Sequence, residues 1–271
     1  MIKVSHLSYS YPGNSHPTLE DISFEVKDSE VIALVGQNGS GKSTIGRLIA
    51  GILKLQKGSV QIDDRIYSKS DGLRGNVGIV FQNPENQIIF NRIDDEISFA
   101  LGDLASNEIE QRIQNSLKQV GMNEFRNQDL YSLSLGQKQR IVLAEALARR
   151  PKYLILDEPT TMIDSQGKEK IYQLIRKLKD DGYTIICITN LADEILMADR
   201  TLILHQGKIV AKIKRTELVQ KSNLLLKYGI HLPTLLQILI GMKERGIKLS
   251  LKDYTIAELL NNVEKKIKHG C

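Results

Sequence analysis

The stretch GQNGSGKST, at residues 36–44, decides the fold of this chain. It fits the pattern G-x-x-x-x-G-K-[ST], and it lies between a continuous apolar run at 31–35 and a segment at 45–52 whose apolar residues recur with helical spacing. In this strand–loop–helix order, the glycines let backbone N–H groups turn toward a phosphate, and the helix N-terminus adds its partial positive charge. The sequence therefore predicts an α/β domain that binds a nucleotide.

Two side chains of this loop have a specific chemistry. Lys42 can reach the β- and γ-phosphates of a nucleotide, and the Ser43 hydroxyl can bind Mg²⁺. The competing interpretation is a glycine-rich turn without function. The strand, loop and helix that follow one another in the expected order disfavour it. The residues expected to contact the nucleotide are Gly36, Asn38, Gly39, Ser40, Gly41, Lys42, Ser43 and Thr44.

A second apolar run, YLILDE at 153–158, ends in two carboxylates. Asp157 suits the metal, directly or through water, and Glu158 is placed to orient or deprotonate an attacking water. The alternative is a surface acidic pair at the end of a strand. The phosphate-binding loop favours the first interpretation, because such a loop needs an acidic partner.

Composition narrows the class of protein. The 271 residues are 41% hydrophobic and 25% charged, and the net charge of +5 is scattered along the chain, whereas a nucleic-acid binder usually concentrates it. No apolar run approaches the roughly 20 residues that span a bilayer, and residues 1–11 lack the apolar core of a signal peptide. We therefore expect the protein to stay in the cytosol, with Cys187 and Cys271 as free thiols.

The remaining patterns divide the chain into regions. Alternation at 2–11 and 21–26 predicts half-buried antiparallel strands, and residues 83–150 are mainly helical. Further strands are predicted at 59–63, 77–82, 184–190 and, as a hairpin, 200–213. Only helical patterns follow. The expected organisation is a nucleotide-binding domain at 1–215, with its helical subdomain at about 83–150, and a C-terminal helical extension at 216–271.

Two further motifs point to a family. LSLGQKQR at 133–140 lies just before the acidic strand, and FQNPENQ at 81–87 opens the helical region. With these motifs in this order, residues 1–215 closely resemble the ATP-binding cassette (ABC) ATPases. The resemblance implies an ABC-type P-loop domain of the α/β class with an antiparallel β subdomain and a helical subdomain, and it implies ATP and Mg²⁺ as cofactors.

The resemblance also implies roles for single residues. Tyr11 matches the aromatic residue that stacks on adenine, and Gln82 matches the glutamine that serves the metal and the catalytic centre. In this family two cassettes dimerise head to tail, so the signature of one subunit completes the ATP site of the other. Here the signature residues are Ser134, Gly136 and Gln137, and Leu135 stands where glycine is usual.

Asn190 matches the position of the family's switch histidine, at the end of TIICITN. Its amide can donate a hydrogen bond, but it is shorter than histidine and never cationic. We therefore expect Glu158, Gln82 and Asn190 to form the catalytic group of a site that hydrolyses ATP slowly. The alternative is that Asn190 only caps the helix that follows it.

Several segments are similar to those of energy-coupling factor (ECF) importers, which take up vitamins or metal ions: SYSYPG, GIVFQNPENQ, GQKQR, TTMID and KERGI. The last two favour the first of two paralogous ATPase subunits. This resemblance implies a peripheral protein on the cytoplasmic side of the cell membrane. The partners would be a second, different ATPase subunit, a membrane T component and a substrate-binding S component, with no nucleic acid. The transported substrate is left open.

The same resemblance suggests that the membrane partner docks near residues 83–105, with Asp94, Asp95 and Glu96 as acceptors for basic side chains. Two other functions compete with the importer. One is a soluble ABC ATPase that acts on nucleic acid or ribosomes, and the other is the ATPase of an exporter or another ABC transporter. The single phosphate-binding loop and the lack of a long coiled coil disfavour the soluble class.

Overall fold

The computed structural model describes residues 1–68, 77–247, 249, 251 and 254–268, so the predicted thiol of Cys271 lies outside the described residues. The described strands form two sheets. The strands are β1 (Ile2–Tyr9), β2 (Leu19–Val26), β3 (Val31–Val35), β4 (Lys57–Ile62), β5 (Arg65–Tyr67), β6 (Val77–Val80), β7 (Tyr153–Asp157), β8 (Thr184–Ile188), β9 (Arg200–His205) and β10 (Lys208–Lys214).

The smaller sheet has the order β2-β1-β4-β5, and all its neighbouring strands are antiparallel. Apolar side chains of β1 and β2 are buried, while several residues between them are exposed. The two half-buried strands predicted near the start of the chain are therefore confirmed. The sequence prediction missed β5, because three residues are too few to show a period.

The larger sheet has the order β10-β9-β3-β8-β7-β6, and all of its pairs are parallel except β9 with β10. Every residue of β3, β7 and β8 is buried, as expected for strands that are covered on both faces. Parallel strands end at the same edge of a sheet. The loop at 36–44, the acidic pair Asp157 and Glu158, and Asn190 therefore lie beyond the carboxyl ends of β3, β7 and β8.

Helices cover the larger sheet and make up the rest of the chain. The α-helices are α1 (Lys42–Ile49), α2 (Ile93–Leu101), α3 (Ser106–Gln119), α4 (Leu135–Ala148), α5 (Ser165–Asp180), α6 (Ala192–Met197), α7 (Ser222–Lys227), α8 (Thr234–Glu244) and α9 (Ile256–Lys268). Short 3₁₀ helices lie at Pro84–Asn86, Asn123–Phe125, Leu130–Ser132 and Arg215–Glu217. No helix in the described part of the chain is long and apolar enough to cross a membrane.

Helices α2, α3 and α4 pack against one another in the region predicted to be helical. Arg126, between α3 and α4, donates hydrogen bonds of 2.7–2.9 Å to Asp94 of α2 and to Glu110 of α3. A guanidinium that binds two carboxylates in this forked geometry fixes the start of α2 against α3.

The C-terminal helices share a core with the sheet. Leu218, Leu225, Leu236 and Leu239 are buried in the same apolar cluster as residues of β3, β7 and β8. The extension therefore packs on the nucleotide-binding region, as a segment with little core of its own requires.

Candidate functional site

The phosphate-binding loop connects β3 to α1 and depends on glycine at two close approaches. A Cβ atom at Gly36 would lie 2.1 Å from the carbonyl oxygen of Leu204, and one at Gly41 would lie 2.5 Å from a methyl carbon of Leu19. Gly41 also has a φ of +103°, which a side chain would strain. The backbone can therefore curl tightly here, with its N–H groups available to a phosphate.

Lys42 is almost fully buried at the start of α1. Its Nζ donates hydrogen bonds to the carbonyl oxygens of Gly36, at 2.7 Å, and Gln37, at 3.2 Å. Burial lowers the pKa of this ammonium, while the charges of Glu158 and Asp157 act in the opposite direction. The structure thus places one positive charge inside the loop, where phosphate oxygens would bind.

Ser43 and Asp157 meet at the edge of the sheet. The Ser43 hydroxyl donates a hydrogen bond of 3.0 Å to Oδ1 of Asp157, which is 4% exposed. Burial raises the pKa of Asp157, and the bond from Ser43 partly offsets this. A hydroxyl and a carboxylate at this distance are the hard oxygen donors that Mg²⁺ prefers beside a phosphate, so the residues fit the predicted ion.

Glu158 follows Asp157 in a strained conformation, with a φ of +50°. A residue other than glycine in this region costs about 1–3 kcal/mol and persists only where neighbours hold it. Here the Glu158 N–H donates to the carbonyl of Ile188, at 2.8 Å. The Glu158 carboxylate in turn accepts hydrogen bonds from Gln82 Nε2, at 2.7 Å, and from Thr161 Oγ1, at 3.2 Å.

Asn190 faces this group and does not cap a helix. Its Nδ2 donates to Asn38 Oδ1, at 2.9 Å, and lies 3.5 Å from Glu158 Oε1. Helix α6 begins at Ala192, and Leu191 occupies its capping position without a side-chain hydrogen bond. The capping interpretation is therefore wrong, because the amide reaches across to the phosphate-binding loop.

A cavity of about 920 Å³ is lined by Lys42, Ser43, Gln82 and Glu158 and reaches the expected position of adenine, whereas Asn190 and Asp157 do not line it. Tyr11 lies at its rim, packs edge-on against Tyr9 at 5.0 Å between ring centroids, and places its hydroxyl 3.3 Å from Thr44 Oγ1. The sequence prediction missed seven lining residues: Asn14, His16, Pro17, Thr18, Glu20, Gln206 and Gly207. They come from the segment between β1 and the start of β2 and from a hairpin turn, which no local pattern connects to the phosphate-binding loop.

The signature residues lie elsewhere. Ser134, Gly136 and Gln137 line a separate cavity of about 340 Å³ at the start of α4, and none of them lines the cavity of the phosphate-binding loop. Ser134 caps α4: its Oγ accepts from the Gln137 N–H, and Gln137 Oε1 accepts from the Ser134 N–H. Because Oγ accepts this bond, its own proton remains available for an outside acceptor.

The chain was compared with known proteins. The sequence pattern of the ABC transporter family matches residues 19–161. The energy-coupling factor transporter ATP-binding protein EcfA1 of Oenococcus oeni is 38% identical over 272 residues, which cover 98% of both chains. The protein of the same name from Ligilactobacillus salivarius is 36% identical, with 96% of this chain and 94% of that protein covered.

The chain is an ABC transporter ATPase of the energy-coupling factor type.

Solved structures of ABC ATPases agree with this assignment. The structure of cbiO1 from Clostridium perfringens, described as part of the ABC transporter complex cbiONQ, is 32% identical. It matches with a TM-score of 0.74 over 88% of this chain and 97% of that chain. The dimeric ABC transporter cassette MJ0796 is 29% identical, with a TM-score of 0.72 over 79% and 99% of the two chains. The predicted family and fold are confirmed, and the chain is an ATP-hydrolysing enzyme.

The three acidic residues predicted to contact a membrane partner of this ABC ATPase are not all accessible. Glu96 is 2% exposed, and its Oε2 accepts from the N–H groups of Ile89, at 2.9 Å, and Phe90, at 2.7 Å. Asp94 is engaged by Arg126, as described above. The prediction that all three are acceptors for a partner was wrong for Glu96, and Asp95, 57% exposed with its Oδ2 3.8 Å from Arg92 Nε, is the most accessible of the three.

The C-terminal extension of the ABC ATPase contacts the nucleotide end of the molecule. Gly229 has a φ of +73°, and a Cβ atom there would lie 2.8 Å from Gln37 Nε2 in the phosphate-binding loop. The ring of Tyr228 lies 5.2 Å from the ring of His205, which directly precedes the Gln206 turn at the cavity. The extension thus touches both the loop and the hairpin that border the cavity.

Proposed function

We propose that this chain is an ATPase subunit of an ECF-type importer that works beside a second, non-identical ATPase. The observation that carries the proposal is the separation of the two half-sites. The cavity of the phosphate-binding loop and the signature cavity have no lining residue in common. A head-to-tail partner would bring its own signature to Lys42 and its own phosphate-binding loop to Ser134.

Each site residue has a proposed role in this arrangement. Tyr11 stacks on adenine, the loop residues Gly36 to Thr44 bind the phosphates, and Ser134, Gly136 and Gln137 contact the nucleotide of the partner subunit. Ser43, Asp157 and Gln82 hold Mg²⁺, which would neutralise phosphate charge. The 2.7 Å bond from Gln82 Nε2 to Glu158 leaves the amide oxygen of Gln82 available to the ion.

Glu158 is proposed to orient and deprotonate the attacking water, with Asn190 as the donor that holds the γ-phosphate. The 3.5 Å separation of Glu158 Oε1 and Asn190 Nδ2 lets both groups reach one water. Asn190 supplies a single neutral donor where the family has histidine. We therefore propose that this chain's own site hydrolyses ATP slowly and that the partner's site performs most of the turnover.

The remaining proposals concern organisation. Residues 1–215 would form the ATPase domain, with a helical subdomain at about 83–150, and residues 216–271 the C-terminal extension. In the assembled importer the chain would lie at the cytoplasmic face of the cell membrane, with a T component and a substrate-binding S component. The names of the relatives, energy-coupling factor transporter proteins, support this proposal.

The composition of the purified transporter tests the proposed function. We expect native mass measurement to show one copy of this chain, one copy of a different cassette protein and at least one membrane protein. The reason is that Leu135 and Asn190 would repeat in both ATP sites of a homodimer, whereas an unlike partner can supply intact counterparts. Two copies of this chain in a transport-competent complex would contradict the proposal.

The docking of the membrane partner can be tested at Asp95, the most exposed of the three candidate acceptors. We expect Asp95→Lys to reduce transport about tenfold. Loss of one partner of a buried charge pair at an interface typically costs about 2–5 kcal/mol, and an exposed residue such as Asp95 would form a pair at the rim, where the cost is smaller. ATP binding should not change, since Asp95 lies in the helical subdomain. Transport and nucleotide affinity would be measured together.

Asp181→Lys, on the exposed residue Asp181 after α5, is a matched charge reversal outside the predicted docking region. If Asp95→Lys transports at the same rate as Asp181→Lys, the partner does not use this carboxylate. Asp94 and Glu96 are unsuitable for reversal, because each already binds groups of this chain and its replacement would disturb the subdomain.

A further inference from the structure

A buried carboxylate lies directly beneath the proposed catalytic group. Glu194, on α6, is 1% exposed. Its Oε1 accepts a hydrogen bond of 2.5 Å from Thr160 Oγ1, and its Oε2 accepts one of 3.2 Å from Cys187 Sγ. Thr189 also bonds to this carboxylate through its side chain. Three donors from two other segments therefore converge on one side chain.

The burial of Glu194 calls for an explanation. Its described partners are hydroxyl and thiol groups rather than a cation. Burial raises the pKa of this carboxyl, so its charge is disfavoured where it lies. An apolar residue would fill the same space without that cost. An apolar residue could not accept these hydrogen bonds. What glutamate adds at this position is therefore the connection between the segments that carry its hydrogen-bond donors.

Those segments carry the two residues proposed to act on water. Thr160 lies two positions after Glu158, and Thr189 directly precedes Asn190. The Thr189 hydroxyl also accepts a bond of 2.8 Å from the Leu191 N–H, which fixes the chain just past Asn190. Glu194 thus connects the loop after β7 and the loop after β8.

We propose that Glu194 is a positioning residue for ATP hydrolysis, whose carboxylate holds Thr160 and Thr189 so that Glu158 and Asn190 face the same water. The inference rests on the proposed roles of Glu158 and Asn190. Glu194 itself does not line the cavity of the phosphate-binding loop, so it acts only through the two threonine-bearing loops. Loss of one of its bonds should change the rate of hydrolysis and leave nucleotide binding in place.

Thr160→Val is the sharpest variant, because it keeps the branched shape of a fully buried side chain and removes the donor to Glu194 together with a longer contact of 3.5 Å to the Tyr172 hydroxyl. The assembled transporter would carry a glutamine in place of the partner's catalytic glutamate, so that turnover reports on this chain's site. We expect single-turnover hydrolysis to slow about tenfold, since small misplacements of reacting groups reduce rates by up to about a hundredfold. ATP affinity should stay within about twofold, because the phosphate-binding loop is untouched.

Two further variants separate positioning from mere stability. Thr160→Ser restores the hydroxyl and should recover the parent rate. Thr184→Val removes a buried hydroxyl that binds the Ser29 N–H at 2.9 Å, at the opposite end of β8 from Asn190. Thr184→Val should lower thermal stability as Thr160→Val does, with no change in rate per folded site. If Thr160→Val prevents folding, Glu194→Gln keeps the side-chain size, replaces one of the two acceptor oxygens by an amide donor, and should also slow hydrolysis.

The outcomes distinguish this inference from the function on which it rests. A Thr160→Val rate within twofold of the parent, with Glu158→Gln inactive in the same background, would overturn the positioning role alone. If Glu158→Gln also turns over at the parent rate, the proposed role of Glu158 fails and the inference fails with it. Slowing by Thr160→Val that Thr160→Ser reverses and Thr184→Val does not reproduce would support it.

Discussion

Replacing Lys42 with alanine is expected to weaken ATP binding by roughly ten- to a hundredfold, since hydrogen bonds to a charged group contribute about 1.5–3 kcal/mol and each 1.4 kcal/mol is a factor of ten. The Lys42 ammonium is held inside the loop by two carbonyl oxygens, so it needs little reorganisation to meet a phosphate. Alanine would remove the charge and also the bridge that closes the loop.

Titration of the purified chain with ATP checks this expectation. Lys118→Ala, which removes an exposed lysine from the last turn of α3, provides the control for a change in net charge. Both variants should fold, because Lys42 contributes no apolar core. An unchanged affinity for Lys42→Ala would mean that the loop at 36–44 does not bind the phosphates.

Exchanging Asn190 for histidine is expected to speed hydrolysis at this chain's site by about 10²–10³-fold, the usual effect of one preorganised donor at a reacting centre. Asn190 already points at Asn38 and Glu158, so the longer imidazole would extend from the same place toward the γ-phosphate. The same reasoning predicts an asymmetric complex. Glu158→Gln in this chain should leave most ATPase and transport activity, whereas the equivalent change in the partner should abolish both.

Paired measurements on the assembled transporter decide between symmetric and asymmetric use of the two sites. ATPase activity and transport would be compared for each glutamate variant alone, and for Asn190→His in the presence of the partner's glutamate variant. Equal loss of activity from Glu158→Gln alone would show that this site is also essential. No gain from Asn190→His would show that the position does not limit hydrolysis.

The parts of the candidate site that sequence alone could place together are the ones defined by neighbours along the chain. The loop at 36–44 and the pair Asp157 and Glu158 each follow a buried strand, and the carboxyl ends of parallel strands necessarily meet. The fold class followed from the same patterns, because continuous apolar runs and alternating runs distinguish the two sheets.

What the sequence missed depends on contacts between distant segments. The sequence left open whether Asn190 belongs to the site or only caps a helix, and its bond to Asn38, 152 positions away, decides against the cap. Glu96 stands among exposed acids in the sequence, yet it folds inward to bind the N–H groups of Ile89 and Phe90. No periodic pattern contains information about either bond, because periodicity describes apolar faces and not single polar partners.

Gly229 and Gln37 bring two parts of the chain into contact. Gln37 belongs to the loop proposed to bind phosphate, Gly229 belongs to the extension, and a Cβ atom at Gly229 would lie 2.8 Å from Gln37 Nε2. A molecule that binds the extension more tightly when the loop holds nucleotide must, by reciprocity, raise the loop's affinity for nucleotide by the same factor. A molecule bound to the extension could then control nucleotide binding without touching ATP. It would need only to prefer one of two arrangements of the contact between Gly229 and Gln37.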